Sequence, residues 1–291
     1  MTLSPTSTPT PDPTPALAAR GVTLAYAQAV VFRDLDLTVE AGRITTLIGA
    51  NGSGKSTLLK AFGRLLPPVT GAVELDGVPL CSLPTREIAR RLSILPQKPR
   101  TPSATTVRDL VCRGRHPYQS LLRPWTAQDR AAVDGALAAT GMTDLAERDA
   151  AALSGGQLQR AWIALVLAQQ TPTILLDEPT TFLDLSHQLD ILRLVRRINT
   201  ERGATVLMVL HDLSLAARFS DRLVVVGRGR VLADGAPWDV LTPEVLRMAF
   251  DLPALVIPDP GTGSPLVVPL EPVAGSTPGV TANKDRLTYL A

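Results

Sequence analysis

The stretch RITTLIGANGSGKST, residues 43–57, decides the fold. RITTLIG reads as a buried strand, and GKSTLLKAFGRLL (54–66) reads as the helix that follows it. Between them the chain obeys G-x-x-x-x-G-K-[ST], running Gly49, Ala50, Asn51, Gly52, Ser53, Gly54, Lys55, Ser56, with Thr57 next. A strand that enters a Gly-rich loop and leaves it through a helix is the context in which this spacing cradles phosphate. The glycines let backbone N–H groups approach phosphate oxygens, and the helix start adds unpaired donors. Lys55 is placed to reach the β- and γ-phosphates, and the Ser56 hydroxyl to ligate Mg²⁺.

Outward from this stretch, strand-like and helix-like segments alternate. AVELD (72–76), ILP (94–96), TILLD (173–177), ATVLMVL (204–210) and RLVVV (222–226) read as strands. TREIARRL (85–92) is helical, and Leu185, Leu189, Leu192, Val195 and Ile198 recur at helical spacing. This alternation predicts an α/β fold with a mostly parallel sheet covered on both faces. From about 105 to 170 helix signals dominate, Thr126 with Asp129 marking one start and Gly141 its stop. That region is expected to be a helical lobe inserted into the α/β core.

Other residues with chemistry to offer follow strand-like runs. In ILLDEPT (174–180) an apolar strand ends in Asp177 and Glu178, placed where open sheets bind ligands. Asp177 would hold Mg²⁺, and Glu178 would polarise an attacking water. His211 follows VLMVL and Gln97 closes ILPQ. LSGGQLQR (153–160) is a second phosphate-binding pattern, in which Ser154, Gly155, Gly156 and Gln157 open an amphipathic helix.

The bulk numbers exclude several classes. Apolar residues make up 45% of the 291, enough for a large core, and the net charge is +2, which gives nucleic acid no electrostatic claim. No apolar run approaches the roughly 18 residues of a membrane span, and no secretory leader pattern opens the chain. Cys81 and Cys112 form neither a metal spacing nor a disulfide framework, which fits a reducing compartment. Residues 1–16 are rich in Pro, Thr and Ser and are expected to form a disordered tail; 258–291 are expected to form a Pro/Gly-rich extension, loose from Asp259 onward.

Taken in order, these motifs resemble the nucleotide-binding subunit of ATP-binding cassette transporters. GANGSGKST resembles the Walker A loop, Gln97 the Q-loop, LSGGQ the signature, ILLDE the Walker B strand, Leu183–Asp184 the D-loop and His211 the switch histidine. Tyr26 in VTLAY matches the aromatic that stacks on adenine. The resemblance covers about 17–257. It implies a P-loop NTPase fold: a RecA-like parallel core with an antiparallel β subdomain, and a helical subdomain over about 98–170. It also implies ATP with Mg²⁺, the metal facing Ser56, Gln97 and Asp177. Glu178, His211 and Gln97 are the implied catalytic residues.

In such proteins two subunits meet head to tail, each ATP lying between the Walker A loop of one chain and the signature of the other. The two phosphate cradles then belong to different half-sites, with Asp184 beside them. The implied partners are a second copy of the chain, two transmembrane permease subunits and, indirectly, an extracytoplasmic substrate-binding protein. The implied place is the cytoplasmic face of the membrane. GRHPY (114–118) and TTFLDLSHQ (180–188), with Phe182 where a small residue is usual, resemble the importers of ferric siderophores, haem and cobalamin, the siderophore branch most. Ala50 and Leu158 are minor departures that remove no phosphate contact, and His116 and His187 read as surface residues. The rival readings are haem or cobalamin as cargo, a soluble cassette ATPase such as an iron–sulfur assembly factor, a DNA-repair or translation ATPase, and a non-catalytic regulatory module.

Overall fold

The computed structural model describes residues 14–271 apart from 28, 100, 102, 121–123 and 182. Its elements begin with β1 (Leu17–Tyr26), β2 (Ala29–Val39), β3 (Ile44–Ile48), α1 (Lys55–Phe62), β4 (Thr70–Leu75), β5 (Val78–Pro79), α2 (Thr85–Arg91) and β6 (Leu92–Leu95). The described elements between β6 and the next strand are all helical: α3 (Val107–Cys112), α4 (Ala127–Ala139) and α5 (Gly155–Ala168), with short 3-10 turns. Alternation resumes with β7 (Thr173–Asp177), α6 (Leu185–Arg202), β8 (Thr205–Val209), α7 (Leu213–Phe219), β9 (Arg222–Gly227) and β10 (Arg230–Gly235). Then come α8 (Pro237–Val240), α9 (Pro243–Phe250), β11 (Ala254–Pro258) and β12 (Pro265–Pro269).

The central sheet has the order β10-β9-β3-β8-β7-β6, parallel except for β10. β3, β7 and β8 are buried along their whole length, the pattern of strands covered on both faces. A second sheet, β2-β1-β4-β5, is antiparallel. Between the two sheets lies α1, whose Leu58 and Phe62 join Phe32 and Leu24 in one apolar core. A second core runs from α3, α4 and α5 across to α6 and α7. This is the P-loop NTPase architecture that the sequence implies, antiparallel sheet and helical part included.

The inserted helices start and stop for local reasons. Thr126 and Asp129 form a reciprocal capping box at the start of α4, and Gly141 takes a φ of 65° just past its end. Ser154 and Gln157 form the same box at the start of α5.

Two expectations need correcting at the ends. Ala16, placed in the tail, is buried, and its carbonyl accepts a hydrogen bond from Asp76 N. The stretch beyond Asp259 is not loose throughout. β12 pairs with β11 in register from Ala254–Pro269 to Pro258–Pro265, and Val267 N donates to Ser214 Oγ of α7 at 3.2 Å. The Pro and Gly residues there make the turn and edges of a hairpin whose support is tertiary. Residues 1–13 and 272–291 and Phe182 lie outside the described residues.

Val267→Asp places a charge where β12 packs on the core. It is expected to cost about 1–2 kcal/mol and lower Tm by roughly 3–6 °C. An unchanged melting curve would show that the hairpin is not docked in solution.

Candidate active site

Four adjacent strands of the central sheet end at one rim. β3 leads to Gly49, β8 to His211, β7 to Asp177 and Glu178, and β6 to Gln97. Parallel strands share a direction, so residues far apart in sequence meet at their carboxyl ends. A cleft of about 380 Å³ opens there, lined by Lys55, Ser56, Thr57, Gln97, Glu178 and His211, with Asn51, Gly52, Gly54, Val31 and Tyr26.

The loop 49–54 is built to receive an anion. Gly54 stands at the start of α1 with φ 100°, and a Cβ there would lie 2.5 Å from the Phe32 ring, so only glycine fits. No side chain caps α1, so the N–H groups of its first turn face the cleft without an internal partner. The Ser53 hydroxyl is buried with no hydrogen-bond partner in the structure. An unsatisfied hydroxyl beside an uncapped helix start fits a phosphate-bearing ligand.

The charged groups are held against one another. Lys55 is 5% exposed, and its Nζ donates to Gly49 O at 2.8 Å and Ala50 O at 3.0 Å. Burial lowers its pKa, against the opposing pull of Glu178 and Asp177. Ser56 Oγ donates to Asp177 Oδ1 at 2.9 Å. Burial raises the Asp177 pKa, the Ser56 hydrogen bond works against it, and the Glu178 charge adds to the rise. These two hard oxygen donors suit Mg²⁺. Among the described residues no group of three or more His, Cys, Asp or Glu gathers as a metal site, so further ligands would come from phosphate and water.

Glu178 has three partners. His211 Nε2 lies 2.7 Å from Oε1, Thr181 Oγ1 donates to Oε2 at 3.1 Å, and the Gln97 side chain bonds to it as well. Burial alone would raise its pKa, but the hydrogen bonds from Gln97, His211 and Thr181 outweigh it and hold the carboxyl below its ordinary range. Glu178 also takes a φ of 53°, a strained backbone conformation for a residue other than glycine.

Of the remaining predicted residues, only Tyr26 reaches the cleft. Tyr26 is exposed at the cleft mouth, its ring centroid 6.0 Å from Lys60 Nζ. Ser154, Gly155, Gly156 and Gln157 open α5 and do not line this cleft. A Cβ at Gly155 would meet open space, while one at Gly156 would touch Leu183 at 3.0 Å, so Gly156 lets the Leu183–Asp184 segment come close. Asp184 caps α6, its Oδ1 accepting from His187 N, Ser186 Oγ and His187 Nδ1. These bonds depress its pKa to about 2, led by the His187 backbone. Sequence reasoning missed Thr181, the third partner of Glu178, and Val31 and Phe32, which wall and floor the loop. No local signal marks them, since their roles arise from packing.

The family model described as "ABC transporter" matches residues 32–181. The chain belongs to the ABC transporter family. It is 48% identical to an achromobactin transport ATP-binding protein of Dickeya dadantii (strain 3937), over 87% of this chain and 94% of the relative. It is 46% identical to a ferric enterobactin transport ATP-binding protein of Escherichia coli (strain K12), over 90% and 96%. A cobalamin import ATP-binding protein of Halobacterium salinarum is 41% identical over 87% of this chain and 63% of the relative. Among solved structures, an inward-facing metal-chelate type ABC transporter is similar at TM-score 0.76 and 27% identity, covering 89% and 98%. A dimeric bacterial ABC transporter cassette is similar at TM-score 0.69 and 27% identity, covering 76% and 98%. This ABC cassette is thus an ATPase, and Lys55, Ser56, Gln97, Glu178 and His211 meet at the rim of its sheet. No helix of the described residues is long and apolar enough to cross a membrane.

Gly54→Ala is expected to weaken nucleotide affinity at least about tenfold, by pressing Phe32 and by forcing a Cβ at positive φ. Titration with a fluorescent ATP analogue checks this, and parental affinity would contradict the assigned cradle.

Proposed function

We propose that this ATPase energises an importer of ferric siderophores, working as a head-to-tail dimer around two Mg·ATP beneath two permease subunits. The observation that carries the dimer is a separation. One cleft gathers Lys55, Ser56, Glu178, His211 and Gln97, with Asp177 bonded to Ser56, while Ser154, Gly155 and Gly156 of the second cradle are not part of its lining. A phosphate held by the first cradle would meet the second only on another chain. The dimeric relative cassette and the importer subunits among the relatives support the reading. The cargo rests on those names and on the GRHPY and TTFLDLSHQ stretches, since nothing in the cleft touches cargo. A cassette of this kind would sit peripherally on the cytoplasmic face of the membrane, served by an extracytoplasmic binding protein.

The cleft supplies what phosphoryl transfer to water needs. Lys55 would leave the Gly49 and Ala50 carbonyls for the β- and γ-phosphates. Mg²⁺, held by Ser56 and Asp177 with Gln97 near, would supply neutralisation of phosphate charge. Glu178, kept ionised by its three partners, accepts a hydrogen bond from the water that attacks the γ-phosphorus and takes up its proton. The bond from phosphorus to the bridging oxygen breaks, leaving ADP and phosphate. His211, bonded to Glu178 at rest, is placed to donate to a γ-phosphate oxygen. Tyr26 offers its face to the adenine, and Asp184 stands at the dimer seam. Loss of the γ-phosphate would weaken the seam and reopen the dimer.

Glu178→Gln is expected to bind ATP with near-parental affinity and to lose turnover by about 10²-fold or more. In cells whose only copy is this variant, uptake of labelled ferric siderophore should fail while labelled haem and cobalamin are imported normally. Parental turnover would remove Glu178 from the role, and loss of cobalamin uptake alone would move the cargo.

A further inference from the structure

The GRHPY stretch takes no part in the cleft, yet its Arg115 is buried at 2% exposure. Arg115 Nε donates to Asp129 Oδ1 at 2.9 Å, and Nη1 donates to Ala168 O at 2.9 Å and Gln170 Oε1 at 3.3 Å. Ala168 is the last residue of α5, so the guanidinium satisfies a carbonyl that the helix leaves open and sits at the negative end of its dipole. The Arg115 guanidinium also stacks on the Tyr118 ring, 4.0 Å from its centroid, and Tyr118 OH donates to Gln169 O at 2.9 Å.

The same cluster grips the catalytic core. Gln169 Nε2 donates to Ala89 O and Leu92 O, where α2 passes into β6. Arg86 and Arg90 of α2 both donate to Pro117 O, at 2.8 and 2.9 Å, and Arg86 also donates to Gln119 O. From here β6 runs to Gln97, which bonds to Glu178. The C-terminal end of α5 is therefore tied to the core by the half-buried Gln169 and by exposed arginines of α2, behind the buried Arg115–Asp129 pair, and so many partners on several sides fix its geometry. Its other end, at Ser154 and Gly155, is exposed and touches the core through Gly156 beside Leu183 and through Gln159 Nε2, which donates to Pro179 O at 3.0 Å.

We propose that the Arg115–Tyr118–Gln169 cluster is the pivot of α5, and that Arg115 is a positioning residue for the signature at the helix's far end. This rests on the head-to-tail reading above. α5 spans Gly155–Ala168, about 21 Å at 1.5 Å per residue, so a swing of roughly 10° at the pinned end carries the far end about 4 Å. That displacement exceeds the tolerance of a hydrogen bond, so a slack pivot misplaces the signature while the ATP cleft of the same chain stays whole.

The test uses two variants of the full chain. Tyr118→Phe keeps the ring under Arg115 and loses the bond to Gln169 O. Arg115→Lys keeps a charge for Asp129 and loses the fork that reaches Ala168 O and Gln170. Each is assayed well below its Tm for ATP affinity, kcat and the Hill coefficient of hydrolysis. The expected result is ATP affinity within about twofold of parental, kcat lower by about tenfold, and a Hill coefficient falling toward about 1. Parental kcat and cooperativity with a lowered Tm would overturn the pivot, leaving the cluster purely structural. So would a fall in activity matched by an equal loss of ATP affinity. The two readings fail differently. If the parental chain hydrolyses ATP without cooperativity, the head-to-tail reading falls and takes the pivot with it. If the parental chain is cooperative and both variants match it, the pivot alone falls.

Discussion

Burial on both faces governs the centre of this molecule. β3, β7 and β8 have no side facing water, so they carry apolar side chains and a few threonines but no charge short of their carboxyl ends. Polar chemistry is pushed to the ends of the strands. Because the strands are parallel, their carboxyl ends share one rim, and each departing loop delivers its first polar residues there. Lys55, Gln97, Asp177, Glu178 and His211 become neighbours for this reason alone. The antiparallel sheet completes the arrangement by trapping α1, so that Phe32 lies under Gly54 and fixes the loop that precedes Lys55.

The residues of the cleft rest against one another in orderly pairs. Lys55 sits on two loop carbonyls, Ser56 on Asp177, and His211, Thr181 and Gln97 on Glu178. In the proposed mechanism, phosphate, Mg²⁺ and water would take the places of these contacts. Binding then exchanges partners among groups already in place, and less conformational entropy is lost than if free side chains had to be ordered. The strained backbone at Glu178 persists where His211, Thr181 and Gln97 already hold its carboxylate.

How far the sequence could be read depended on whether a residue's role is local. The loop 49–57, the acids after β7 and the capped start of α5 are defined by neighbours a few residues away, and the structure places them as their spacing implies. The capping box at Thr126 is legible for the same reason. The hairpin of β11 and β12 is not, because LVVP among prolines looks like a loop until α7 is packed beneath it. Thr181, Phe32 and the α5 pivot were equally silent. Their partners lie in other elements, and no periodicity records such contacts. Gly156 lies between the two cases. Its place in LSGGQ is visible in the sequence, but its nearness to Leu183 is a fact of packing.

The central claim is that each chain's two cradles serve different nucleotides. Light scattering on the Glu178→Gln chain with ATP, compared with the same chain also carrying Ser154→Arg, tests it most directly. An ATP-dependent dimer is expected for the first and a monomer of unchanged ATP affinity for the second. A dimer that survives Ser154→Arg, or a loss of ATP affinity in the monomer, would mean that the signature does not complete a partner's site.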